Sequence, residues 1–187
     1  TATDLTGTSI AVPTGRTSAY TIASSTSNIF SRAQADYIYD SEDTVLDEIA
    51  TALTAANATG IKQTVTFLPG TYDNRTKRIL KPLLVNLFGY GAVIKVKNGL
   101  NHSVKTLIET TTGNHQDTVI CGFELDGNMA NNAGFVFADT FGAGLITMEV
   151  NPATGNPIGY AYNLIVEDIY SHDTCRSPIV LVSQASG

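Results

Sequence analysis

The sequence predicts an all-β chain in which parallel strands stack into a solenoid, entered through one capping α-helix. Three observations carry that expectation. The apolar residues recur with helical spacing over residues 41–60 and with a period of two from there onward. No second amphipathic helix interrupts the strand-like runs, so a regular alternation of strands and helices is not expected. The runs can also be laid over one another: Val65 and Phe67, then Val85 and Leu87, then Phe123 and Leu125, then Ile169 and Ser171, each pair pointing inward. Turns stacked at a strand spacing of about 4.8 Å produce such self-similarity. The steps between copies are 20, 38 and 46 residues, so the later turns carry longer loops.

Residues 1–34 stand apart. They hold 14 Ser or Thr and three charges, Asp4, Arg16 and Arg32, and read as an extended arm or leader with little core of its own. The solenoid domain is expected over 35–187. Its helix lies in SEDTVLDEIATALTAANATG, where Val45, Leu46, Ile49, Leu53 and Ala56 share one face. Ser41 or Asp43 can cap its start, and Gly60 follows its end. The strands are then read in QTVTFLPGTY, LLVNLFGYGAVIKV, KTLIETTT, DTVICGFELDGN, GLITMEV, NLIVEDIY and SPIVLV, with Gly, Pro, Asn or Asp between most of them. The chain stops soon after an apolar strand and does not begin with Met, so an excised or processed piece of something larger is expected.

Composition narrows the function classes. A net charge of −6 and a pI near 4.9 leave no basic surface for nucleic acid. No apolar run approaches the roughly 18 residues of a membrane span. Cys121 and Cys175 allow one bridge at most, which is no disulfide framework. The three histidines, His102, His115 and His172, are scattered, and no spacing among them points to a metal or other cofactor. Asn57, Asn74 and Asn101 begin N-x-S/T sequons, which matter only in a glycosylating cell.

ADYIYDSEDTVLDEIATAL, TVTFLPGTY, LVNLFGYGAVIKV and GFELDGN, taken in order, resemble the opening of the pectate-lyase-like superfamily of right-handed parallel β-helix proteins. The resemblance covers residues 19 to about 182 and implies a right-handed, single-stranded parallel β-helix. It implies an extracellular, cell-surface or virion setting, a polysaccharide or surface glycan as partner, and a homo-oligomer, with a trimer favoured by the tailspike-like members. It does not fix an activity, because such folds host lyases, hydrolases, epimerases and non-catalytic surface proteins. SHDTCRSPIVLV lacks the Asp-Pro-His segment of alginate epimerases, and the signatures of polygalacturonase-type hydrolases and of calcium-binding pectate lyases are missing as well.

The stacking itself suggests a site. With Phe123 and Leu125 inward, one outer ladder runs Thr66, Asn86, Glu124, Tyr170 and the other Leu68, Phe88, Asp126, His172. Glu124 and Asp126 would then lie roughly 6.5–7 Å apart along one strand face. That separation approaches the one inverting glycosidases use, roughly 6.5–9.5 Å between carboxyl groups. His172 adds a titratable imidazole, Tyr170 a ring for sugar stacking, and Asn86 and Arg176 polar contacts to a polymer. The plainer alternative is that Glu124 and Asp126 are solvated or turn-forming, an Asp before Gly-Asn being ordinary turn chemistry, and that His172 and Asp173 close a turn. Two functions fit these residues. One is a glycan-engaging module, with lyase or hydrolase activity left open; the other is a non-catalytic structural or adhesive rod.

Overall fold

The computed structural model describes residues 19–40, 47–75, 78–99, 106–111, 113–132, 143–147, 161–174 and 178–181. In chain order these form β1 (Tyr20–Ser24), α1 (Ile29–Gln34), β2 (Tyr37–Tyr39), α2 (Glu48–Ala58), β3 (Gln63–Phe67), β4 (Gly70–Arg75), β5 (Ile79–Lys81), β6 (Val85–Val96) and β7 (Thr106–Thr110). There follow β8 (His115–Asp126), a short 3-10 helix at Met129–Asn131, β9 (Ala143–Thr147), β10 (Ala161–Glu167), β11 (Tyr170–His172) and β12 (Ile179–Leu181). An eight-stranded sheet has the order β10-β8-β6-β3-β1-β2, with β11 also on β8 and β4 also on β6. A four-stranded sheet has the order β12-β9-β7-β5. Every pairing in both is parallel.

This corrects the expected all-β, single-stranded parallel β-helix. The described residues show mostly parallel strands in an open sheet with helices beside it, an α/β-like arrangement, and no solenoid. The N-terminal end departs most. There β1 lies between β3 and β2, out of chain order, and α2 rests on β1, β2 and β3. Period-two patterning sets which face of a strand is inward, but it does not say which strand lies beside which. The irregular steps between the runs gave no stronger constraint.

Part of the stretch read as an arm lies in the sheet: in β1, Tyr20, Ile22 and Ala23 are buried, and Ile22 pairs with Phe67 on one side and Tyr37 on the other, whereas α1 buries none of its residues. Residues 1–18 lie outside the described residues. Helix α2 is capped by Asp47, whose carboxylate accepts from the Ala50 N–H at 3.1 Å, where Ser41 or Asp43 was expected. Those two positions, with Val45 and Leu46, lie outside the described residues. The apolar face of α2 (Ile49, Ala52, Leu53 and Ala56) is buried in the core as its spacing requires.

Asp47 has a second task. Both its oxygens accept from the buried Arg75 guanidinium, at 3.2 and 3.1 Å, and the guanidinium carbon lies 5.5 Å from the centre of the Tyr39 ring. A buried cation needs such a partner, because desolvation otherwise costs several kcal/mol. Phe67 carries the core onward, meeting Phe123 edge-on at 5.2 Å and Tyr72 at 5.4 Å.

The register is offset by two residues from the expected stack: Val65 faces Leu87, not Val85. An offset of two keeps every side chain on its expected face. Between Phe88 and Ala92 the register shifts again, and β8 bends at Gly122. There φ is +79°, and a Cβ would lie 2.8 Å from the Tyr90 ring, so only glycine fits. Beyond the bend Phe123 opposes Ala92 and Leu125 opposes Ile94, all four buried.

Candidate functional site

The C-terminal half of β8 and the short β11 build the site. Phe123 and Leu125 are drawn into the core, which turns Glu124 to the outer face. In the ladder Tyr170 pairs with Glu124, Ser171 with Leu125 and His172 with Asp126. The expected outer ladders are thus met at this last step. Earlier steps differ, since Asn86 pairs with Thr64, and Thr66 with Phe88. Asn86 is therefore not beside Glu124; its Oδ1 accepts from the Val119 N–H at 3.0 Å. Arg176 and Cys175 lie outside the described residues.

Two turns lock together beside the site. Gly127 donates its N–H to the His172 carbonyl at 3.0 Å, and Met129 donates to the Asp173 carbonyl at 3.1 Å. A Cβ on Gly127 would sit 2.4 Å from that Asp173 oxygen, so the close approach requires glycine. Asn128, left-handed at φ +52°, places its side-chain amide on the Val96 carbonyl at 2.8 Å and on Asn98 Oδ1 at 2.7 Å. LDGN is thus a turn clamp as well as the end of a strand.

The imidazole of His172 lies between two carboxylates. Its Nε2 is 3.2 Å from Glu124 Oε1 and its Nδ1 is 3.1 Å from Asp173 Oδ2. The Tyr170 ring stacks on it at 4.9 Å and 26°. The Tyr170 residue is 64% exposed, and the side chains of Glu124 and Asp173 are 43% and 64% exposed. Partial burial of His172 favours the neutral ring, yet the hydrogen bonds to Asp173 and Glu124 and the charges of Asp126 and Asp173 outweigh it and raise the pKa.

Asp126 serves differently. It is only 7% exposed; its Oδ1 accepts from the Asn128 N–H at 2.7 Å and its Oδ2 from the Lys95 ammonium. That is turn and ion-pair chemistry, and it ties up both oxygens. Of the three expected catalytic residues, the structure brings Glu124 and His172 together in a line with Asp173, and engages Asp126 with Lys95 and the Asn128 N–H. Sequence reasoning missed Lys95, although it alternates outward between Ile94 and Val96, and named Asp173 only as a turn residue.

One oxygen or nitrogen each from Asp126, His172 and Asp173 falls within 4.8 Å of the others, a donor set of the right kind for a cation. Lys95 already neutralises Asp126, and the carboxylates around His172 favour a proton on its ring, so nothing else in the geometry calls for a metal. No family model, curated protein or solved structure matches the chain. No helix among the described residues is long and apolar enough to cross a membrane.

Proposed function

We propose that this chain is a surface-displayed module, extracellular or borne on a cell or virion surface, that engages polysaccharide along the outer face of β8 and β11. The observation that carries the reading is the Tyr170 ring, exposed and braced on His172, with Glu124 and Asp173 beside it. A flat aromatic face packs against the C–H face of a sugar ring, while adjacent carboxylates accept its hydroxyl protons. The motif resemblance supports the same substrate class. A non-catalytic structural or adhesive module is the alternative; it predicts that Tyr170 can be removed without loss of any glycan contact.

Proton transfer at the same face is a second capacity, favoured by one observation. An imidazole held between two carboxylates keeps its proton to higher pH and can deliver it to a leaving oxygen. Homo-oligomerisation, with a trimer drawn from the resemblance, belongs to the same reading. It is supported by β10, which pairs only with β8 among the described residues and leaves Tyr162 and Ile165 exposed. Sedimentation velocity measures that state directly.

The test is glycan-array and calorimetric binding of wild type and Tyr170→Ala, followed by a time course of polymer size and new chain ends with His172→Ala. Binding that weakens at least tenfold in Tyr170→Ala supports the site. Equal binding by both proteins, or none by either, removes it. Chain cleavage by wild type that vanishes in His172→Ala adds the catalytic capacity; unchanged polymer length leaves a binding module.

A further inference from the structure

We propose that Lys81 and His115 form an acid-sensitive latch between the two sheets, a buried contact that opens as the surroundings pass from alkaline to acid. Lys81 ends β5 in the four-stranded sheet, and His115 begins β8 in the eight-stranded one. Both are fully buried. Lys81 Nζ donates to the Pro82 carbonyl at 3.1 Å and meets His115 Nδ1 at 3.2 Å. His115 Nε2 lies 2.8 Å from the Thr111 carbonyl, which can only accept, so Nε2 carries the hydrogen and Nδ1 presents its lone pair to the lysine. The contact therefore needs a neutral imidazole.

No carboxylate contacts this pair among the described residues. The charged group that acts on it from the turn before β3 is Lys62, another cation. Glu109, on the neighbouring β7, is held by Arg78 at 2.8 Å. The contrast with Arg75, buried against Asp47, is direct. Burial, then Lys62, lowers the Lys81 pKa from 10.5 to about 7. Burial and Lys81 lower that of His115, against a smaller opposing effect of the Thr111 carbonyl.

The sign of the response follows. Once the corner opens to water, Lys81 regains its ordinary affinity for protons. Between about 7 and 10.5 the open form thus holds a proton that the closed form lacks, so each pH unit of acidification favours opening about tenfold. Below 6.5 His115 adds a second step in the same direction. A proton on Nδ1 removes the acceptor that Lys81 uses and sets two cations 3.2 Å apart.

The experiment is native-state hydrogen exchange on the full chain from pH 6 to 9.5. Opening constants for residues 79–84 and 115–120 are compared with those for α2, after correction for intrinsic exchange. In wild type the opening constant of the β5 and β8 segments should grow about tenfold per unit of acidification from pH 9.5 down to about 7, level off there and rise again below 6.5, while α2 stays flat. Lys81→Met should flatten the slope to less than twofold per unit; His115→Gln should keep it above pH 7 and lose the step below. A flat wild-type profile, which needs no variant to read, overturns the latch. So does a Lys81→Met protein that folds and keeps the wild-type slope.

Discussion

A histidine stands by each end of β8, His115 on the strand itself and His172 on the adjoining β11, in opposite electrostatic surroundings. At the start, His115 is sealed between the sheets with Lys81, and its proton affinity is lowered. At the end, His172 lies across from Asp126 on the outer face, between Glu124 and Asp173, and its proton affinity is raised. One strand thus joins a place that rejects positive charge to one that welcomes it. The difference lies in the neighbours: cations and carbonyls at one end, carboxylates and water at the other. A histidine's identity says nothing about its role until those neighbours are known.

The hardest test of the comparison removes what joins the two ends. Phe123→Ala deletes the ring that meets Phe67 just beyond the Gly122 bend. The expected cost is about 3–5 kcal/mol in urea denaturation, with both ends lost in one transition; two separate transitions would make them independent units. Next in size is Lys81→Met, which removes a buried amine with no counter-ion among the described residues. A gain of about 1–4 kcal/mol is expected at pH 7. It should shrink as pH approaches 10.5, because the wild-type lysine then loses its proton in the unfolded chain as well.

The other end should respond to the opposite chemistry. Asp126→Ala strips a partner from Lys95 and from the Asn128 N–H. About 1–3 kcal/mol of stability should go with it, read by thermal unfolding. The smallest effect is Glu124→Gln. It removes one of the carboxylates at His172, so the His172 titration followed by NMR should move down in pH. In wild type that proton contributes stability below about 6.5, the ordinary histidine value, and the contribution is lost as pH rises through the higher folded value. An unchanged titration would mean that Asp173 alone sets the environment.

Several features were legible in the sequence. Of the inward set, Val65, Phe67, Val85, Leu87, Phe123 and Leu125 are buried and Ile169 and Ser171 half-buried, because a period of two survives any even shift of register. The Glu124–Tyr170 and Asp126–His172 pairings match the expected stack at its last step, while the first step is offset by two residues, a difference that period-two patterning does not fix. The solenoid was not a sound reading, since alternation does not specify strand neighbours, and β1 between β3 and β2 has no local signal. Residues 19–34 looked like an arm because Ser and Thr dominate them; yet Ser24, Thr26 and Ser27 satisfy one another and the Thr71 backbone inside the fold. The Lys81–His115 contact was hidden because β5 and β8 meet across two sheets, at a sequence separation of 34 residues.

The all-parallel pairing bears on how the chain reaches this state. A hairpin closes within a few residues and forms in microseconds, whereas the nearest paired residues here, Ile22 and Tyr37, are 15 apart, and none of the described ladders comes from a hairpin. The 11 residues of α2 are marginal as an isolated helix. Almost every bond of the sheet must therefore wait for a loop to close, which places folding toward the slow, millisecond-to-second range. While it waits, the chain shows apolar strand edges to its neighbours, so the yield on dilution from denaturant should fall as protein concentration rises.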